Sequence, residues 1–197
     1  FIKGPGQLLD DVLRSSATDI TIGSITYGPR SGNEGEVYFT HLDGTSINSL
    51  GLPNPGMRET LSFAALLKEK AGQANKRLRF SIAGFSPDEY GILAVAFSPY
   101  GDIEINCGCP NVWGDSGQKP IVSFDLEVFE EVLKTVHGNL RPRDPFDVKL
   151  SPYSDPRMIE LVAERLRSYN IRNIITSNTF PNGVGFTGRR RSITPRY

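Results

Sequence analysis

Short apolar runs alternate with longer amphipathic segments along most of this chain. In one such segment, residues 59–70, the side chains of Leu61, Ala64, Ala65 and Leu66 fall on one face of a helix. The same spacing predicts further helices over residues 7–16, 88–96, 124–137 and 155–169. The short β-rich runs predict strands at residues 20–22, 78–82, 102–106, 146–150 and 173–177.

One stretch departs from this alternation, between the first predicted strand and the helix at residues 59–70. It contains Gly28, Gly32 and Gly35, which are typical of a loop. A small hairpin is predicted after the loop, with residues 36–40 paired against residues 45–47.

The order of strands and helices is the one that a parallel sheet with crossover helices requires. No GxGxxG turn follows a strand, so nothing indicates a Rossmann dinucleotide site. We therefore predict an α/β fold, an incomplete (β/α)8 TIM barrel of about five to six strands. It would form one partial domain over residues 1–197. Because a complete barrel usually needs about 250 residues, we expect further strands before Phe1 and after Tyr197.

Composition narrows the classes of function. The 22 Lys and Arg residues balance the 22 Asp and Glu residues, so no net charge favours a nucleic acid as partner. No apolar run reaches the roughly 20 residues of a membrane span, and no signal peptide is recognisable, so we predict a cytoplasmic protein without membrane contact. The two cysteines, Cys107 and Cys109, are too few for a structural zinc site, and we predict no metal.

Polar residues at the carboxyl ends of the strands are the first candidates for chemistry, because barrel active sites are built there. These candidates are Asn48, Asn106 with Cys109 and Asn111, Lys149, and Asn178 with Thr179. Amide groups donate and accept, which suits a planar heterocycle bearing carbonyl and N–H groups. A cysteine in a polar site can act as a general base.

Each of these residues also has a structural interpretation. Free cysteines are usually small buried hydrophobic residues, and most lysines cover the protein surface. An Asn in a loop, such as Asn178, often serves only to form a turn.

Several motifs together resemble class 1 dihydroorotate dehydrogenases, most closely class 1A. SINSLGLPN at residues 46–54 resembles the substrate loop of that family. EINCGCPNV at residues 104–112 resembles the segment that carries the catalytic cysteine. FSIAG at residues 80–84, VKLSPY at residues 148–153, and SNT at residues 177–179 followed by Asn182 and Gly183 occur in the same order as in the family.

The resemblance implies a role for each candidate residue. Cys109 would be the catalytic base, and Lys149 and Ser24 would contact an FMN cofactor. Asn48 and Asn106 would bind both the FMN and the substrate. The remaining residues implied to bind substrate are Leu50, Gly51, Leu52, Asn111, Asn178 and Thr179.

The reaction implied is the oxidation of dihydroorotate to orotate in pyrimidine biosynthesis. A hydride would pass from C6 to flavin N5 while Cys109 removes the C5 proton. Class 1A relatives are homodimers that use fumarate as electron acceptor, and the resemblance implies both properties here. The FMN-phosphate loops of the family would follow Tyr197, so we expect the chain alone to bind FMN poorly and to associate or aggregate.

The chain also departs from the family pattern. Gly23 stands where the family has a flavin-contacting lysine, Cys107 where it usually has leucine, Thr179 where it has serine and Pro181 where it has glycine. The cysteine segment further resembles the INxGCP signature of tRNA-dihydrouridine synthases, another FMN-barrel family. The alternatives are therefore an enzyme of that kind or another FMN-barrel oxidoreductase, and a diverged barrel that binds a small molecule without turning it over.

Overall fold

The computed structural model of the chain describes residues 7–40, 44–110, 112–114, 117–142, 144–181, 185–186 and 192–193. The helices in these residues are α1 (Gln7–Arg14), α2 (Gly56–Gln73), α3 (Pro87–Phe97), α4 (Leu126–Asn139) and α5 (Pro156–Leu166). A short 3-10 helix, Val122–Phe124, precedes α4. The strands are β1 (Asp19–Ile25), β2 (Tyr38–Thr40), β3 (Ser46–Asn48), β4 (Arg77–Ile82), β5 (Asp102–Asn106), β6 (Trp113–Gly114), β7 (Gly117–Gln118), β8 (Phe146–Lys149), β9 (Ile171–Ile175), β10 (Gly185–Phe186) and β11 (Ser192–Ile193).

Five strands form one parallel sheet in the order β1-β4-β5-β8-β9. A helix separates each strand of this sheet from the next along the chain. The arrangement is that of a partial TIM barrel, and it confirms the predicted α/β fold class. Because all five strands run in the same direction, their carboxyl ends lie at one edge of the sheet.

Three helices begin directly after a residue whose side chain caps the helix N-terminus. Ser86 Oγ accepts a hydrogen bond from the Glu89 backbone at the start of α3. Asp125 and Asp155 accept from backbone N–H groups in the first turns of α4 and α5. A side-chain oxygen at this position satisfies a backbone donor that has no partner within the helix.

The last predicted strand was wrong by two residues, since residues 173–177 were expected and the strand is Ile171–Ile175. The charged residue Arg172 hid its beginning from the apolar pattern. Its end is set by hydrogen bonding, because the Leu150 N–H donates to the Ile175 carbonyl and the Asn178 N–H donates to Leu150. The short pairs β6–β7 and β10–β11 were not predicted either, and two-residue strands leave little periodicity to detect.

The core lies between the sheet and the helices. Phe80 on β4 stacks on Phe97 of α3, with ring centroids 4.9 Å apart. Phe129 of α4 and Phe146 of β8 are fully buried in the same cluster. This apolar side of the sheet supplies the burial that stabilises the fold.

A network of ion pairs takes one side chain from each strand of the parallel sheet. Asp147 on β8 is completely buried, and its Oδ2 lies 2.6 Å from Arg79 Nε of β4. Arg79 also lies 3.7 Å from Asp19 of β1. Arg172 of β9 lies 3.3 Å from Asp147 and pairs with Asp102 of β5. The network therefore fixes all five strands relative to one another.

A close approach of β1 and β4 determines the residue type at position 23. A Cβ atom added to Gly23 would lie 2.3 Å from the backbone oxygen of Ser81. Gly23 also has a φ of +127°, which side chains rarely tolerate. The backbone here accommodates glycine and no larger residue.

We predict that Arg79→Met lowers the free energy of unfolding by about 3 kcal/mol, because it leaves the buried carboxylate of Asp147 without its nearest partner. The control is Arg14→Met, which breaks an exposed pair with Asp11 and should cost less than about 1 kcal/mol. Urea unfolding of the intact protein measures the change in the free energy of unfolding for both variants. Equal decreases would contradict the importance of the network.

Gly23→Ala should cost about 2–4 kcal/mol, since it combines a steric overlap with an unfavourable backbone conformation. Gly28→Ala, a few residues further along, adds a Cβ with no atom within 4 Å and should be nearly neutral. Thermal unfolding of the two variants tests the difference. A Gly23→Ala protein as stable as the wild type would show that the two strands can separate without cost.

Candidate functional site

The carboxyl ends of the strands surround a cavity of about 240 Å³. All of the predicted site residues that the structure describes line it, namely Ser24, Asn48, Leu50, Gly51, Leu52, Asn106, Cys109, Lys149, Asn178 and Thr179. Asn111 lies outside the described residues. The residues come from distant parts of the sequence, and the parallel sheet brings them together, while their individual roles stay predictions.

Asn106, the last residue of β5, lies at the centre of the hydrogen bonding in the cavity. Its side chain is buried, and its Oδ1 accepts from the Gly108 N–H at 3.2 Å and from Asn178 Nδ2 at 3.0 Å. Its Nδ2 donates to Ser24 Oγ at 2.8 Å. These bonds hold the amide in one orientation.

Asn178, which follows β9, is also held in place by hydrogen bonds, as Asn106 is. Its backbone N–H donates to the Leu150 carbonyl at 2.8 Å, and its Oδ1 accepts from the Thr179 N–H at 2.8 Å. The second of these bonds is local, joining the Asn178 side chain to the backbone of the next residue. The same side chain also lines the cavity.

The loop after β3, which carries Leu50, Gly51 and Leu52, is anchored by Asn54. Asn54 Oδ1 accepts from the backbone N–H groups of Thr26 and Gly56, while its Nδ2 donates to the Leu52 carbonyl. The backbone at Gly51 and Leu52 has positive φ, at +72° and +57°. These contacts hold the loop against the end of β1.

Sequence reasoning missed two further residues that support this loop. Arg30 Nε donates to the Gly51 carbonyl at 3.0 Å, and its guanidinium lies 4.9 Å from the ring centroid of Phe85. Asn33 Nδ2 donates to the Ser49 carbonyl at 2.9 Å. Both follow β1 in the glycine-rich stretch, where only their position in a loop beside a motif could have drawn attention to them.

The two cysteines differ in environment although only Gly108 separates them. Cys109 lines the cavity and is partly exposed. Cys107 is 1% exposed and does not line the cavity. Burial raises the pKa of the Cys107 thiol far above its usual range, although the nearby Tyr90 hydroxyl partly offsets the effect. Cys107 therefore stays a neutral thiol, which matches the interpretation of a cysteine as a small buried hydrophobic residue.

Gly108 allows the cysteine segment to pack tightly on the end of β8. A Cβ atom there would lie 2.5 Å from the Ser151 backbone nitrogen. The Cys107 N–H donates to the Lys149 carbonyl, and Ser151 Oγ donates to the Gly108 carbonyl at 3.1 Å. These bonds place Cys109 and Lys149 on the wall of the same cavity.

Some of the residues that differ from the family pattern line the cavity, and others do not. Gly23 and Thr179 both line the cavity, and Thr179 keeps a hydroxyl group there. Pro181 lies beside Phe180 in a separate surface depression. Asn182 and Gly183 fall outside the described residues.

Other kinds of site find no support in the described part of the chain. No group of three or more His, Cys, Asp or Glu side chains in it could hold a metal ion. None of its helices combines the length and apolar character that crossing a membrane requires.

Comparison with known proteins matches the sequence of this chain to a family. The sequence pattern of the family described as dihydroorotate dehydrogenase matches residues 2–195. A protein named dihydroorotate dehydrogenase (fumarate) from Lachancea kluyveri is 35% identical over 188 residues, covering 94% of this chain and 57% of that protein. A protein of the same name from Saccharomyces cerevisiae is 33% identical, covering 95% of this chain and 58% of its own length.

A bacterial relative agrees with the two yeast proteins. The protein named putative dihydroorotate dehydrogenase A (fumarate) from Streptococcus agalactiae is 33% identical over 174 residues, covering 87% of this chain and 53% of that protein. The chain thus spans a little over half the length of the relatives it matches. With a family pattern that spans residues 2–195 and relatives from both yeast and bacteria, this chain belongs to the dihydroorotate dehydrogenase family.

Proposed function

We propose that the intact protein oxidises dihydroorotate to orotate, and that the cavity at the strand ends is its active site. The observation that carries the proposal is the shared cavity of Cys109, Asn48, Asn106 and Asn178. A base and three amides around one space suit a planar ring that has carbonyl and N–H groups on its edge. The name shared by the relatives supports the choice of substrate.

The donors of the cavity fit an FMN cofactor. Lys149 supplies an ammonium group, and Ser24 and Asn106 supply neutral donors at the adjacent strand ends. An isoalloxazine ring presents carbonyl oxygens and ring nitrogens that accept hydrogen bonds from groups of this kind. When bound, FMN supplies the two-electron redox chemistry, and the protein contributes positioning and proton transfer.

The amides and the substrate loop orient the substrate. Asn48, Asn106 and Asn178 approach the cavity from β3, β5 and the end of β9. Leu50, Gly51, Leu52 and Thr179 complete the wall beside them. Because Asn106 and Asn178 already hold each other in place, little conformational entropy is lost when they bind a ligand. Asn111 belongs to the same proposed substrate set.

Cys109 is the proposed general base. Its Sγ would remove the proton from C5 of dihydroorotate while C6 is oxidised. Cys107 is unsuited to this task, since its thiol is buried away from the cavity and its pKa is raised by burial. The geometry thus favours the residue that the family motif selects.

Three properties of the intact protein complete the proposal. The names of the relatives include fumarate, which we propose as the electron acceptor. We further propose a homodimer in the cytoplasm, as in class 1A enzymes.

A barrel that binds its ligand without turnover is the second candidate, and Gly23 favours it. The family lysine at this position is missing, and the backbone excludes any side chain there. A purified intact protein that is yellow and is bleached by dihydroorotate under anaerobic conditions supports the enzyme. A colourless protein that takes up no flavin supports the binding barrel.

Cys109→Ser should slow flavin reduction by dihydroorotate about 100-fold or more near neutral pH, because a hydroxyl is a much poorer base than a thiolate. Cys107→Ser is the matched control and should change the rate less than about two-fold, since Cys107 does not line the cavity. Stopped-flow measurement of flavin bleaching gives both rates. The reverse ranking would mean that the wrong cysteine has been assigned as the base.

Iodoacetamide should alkylate Cys109 in the native protein and leave Cys107 unmodified until urea is added, because Cys107 is buried and its pKa is raised. Tandem mass spectrometry of the peptide that contains both cysteines locates the label. Orotate should protect Cys109 if it occupies the cavity. Modification of Cys107 first would refute the difference in access between the two thiols.

A further inference from the structure

Ser81 lies directly behind the cavity and has no part in the function proposed above. It is on β4 and is completely buried, and it does not line the cavity. Its Oγ lies 3.0 Å from the Oγ of Ser24, which does line the cavity. The two hydroxyls meet where β1 approaches β4 so closely that only glycine fits at position 23.

The direction of the hydrogen bond between Asn106 and Ser24 follows from the backbone. The Gly108 N–H can only donate, so the atom of the Asn106 amide that faces it must be the oxygen. The Asn106 Nδ2 therefore faces Ser24 at 2.8 Å, and the Ser24 Oγ accepts this bond.

The direction of the bond between the two serines follows from burial. Within the part of the chain that the structure describes, the hydroxyl of Ser81 has only Ser24 as a hydrogen-bond partner. Glu104, its register neighbour on β5, makes no hydrogen bond to Ser81 among the described residues. If Ser24 donated to Ser81, the Ser81 proton would be buried without an acceptor, which is costly. Ser81 is therefore the donor.

We infer that Ser81 is a positioning residue that makes Ser24 a hydrogen-bond donor toward the cavity. A serine oxygen has two lone pairs and one proton. At Ser24, Ser81 and Asn106 occupy the two lone pairs, so the remaining O–H is directed to a ligand. The ligand group that fits is an acceptor, such as a carbonyl oxygen or an unprotonated ring nitrogen.

This arrangement gives the end of β1 a donor where Gly23 has no side chain. The fixed hydroxyl needs no reorientation when a ligand binds, and such preorganisation increases affinity. That FMN is the ligand in question rests on the proposed function. The direction of the hydrogen bonds does not, since it follows from contacts within the protein.

Titration of the intact apoprotein with FMN, followed by flavin fluorescence, tests the inference. Ser81→Ala should weaken binding about three- to ten-fold, the effect of one oriented hydrogen bond. Ser24→Ala should weaken it at least as much, and Ser24→Ala/Ser81→Ala should bind no more weakly than Ser24→Ala alone. Ser123→Ala removes an equally buried hydroxyl outside the cavity and should leave the affinity unchanged. Additive losses in the double variant would overturn the inference.

A second measurement needs no ligand. In Ser24→Ala the proton of Ser81 loses its acceptor, so the double variant should unfold at a higher urea concentration than Ser24→Ala. The opposite order would overturn the inference, because it would mean that Ser81 contributes to stability through packing and not by donating a hydrogen bond to Ser24. If the wild-type protein bound no FMN, the proposed function would fail, while the order of the urea midpoints would still decide the role of Ser81.

Discussion

The structure depends on one buried carboxylate, that of Asp147. Arg79 and Arg172 approach it from opposite sides of β8, and they reach in turn to Asp19 on β1 and Asp102 on β5. A buried charge is unfavourable unless it is paired, so the register of the five strands is constrained by the need to keep these partners in place. Apolar burial stabilises the sheet, and the ion pairs specify how its strands align.

Alignment of the strands determines the cavity. The cavity takes Ser24 from β1, Asn106 from β5 and Lys149 from β8, and a shift of one residue would turn such a side chain to the other face of the sheet. With the register fixed, Asn106 and Asn178 meet at 3.0 Å and Ser24 meets Asn106 at 2.8 Å. The amides of Asn106 and Asn178 are consequently already oriented by bonds to the backbone.

Close backbone packing gives neighbouring residues different environments. Glycine at positions 23 and 108 lets β1 approach β4 and lets the cysteine segment approach β8. The first approach excludes a side chain at position 23 and brings two serine hydroxyls together. The second buries Cys107 while Cys109 stays on the cavity wall. Two thiols two residues apart thus differ in exposure because of packing alone.

The sequence by itself determined the fold class, the bounds of β5 at Asp102–Asn106 and the order of the motifs, because apolar periodicity and turn residues are local. It also placed Asn106 at the end of β5. Only the tertiary structure decided the start of β9, the burial of Cys107, and the pairing of Arg79 with Asp147, which is 68 residues away. The contact of Ser81 with Ser24 was likewise decided only by the tertiary structure, since the two residues are 57 positions apart in the sequence. Contacts between strands far apart in sequence leave no periodic signal, so they are settled only when the sheet assembles.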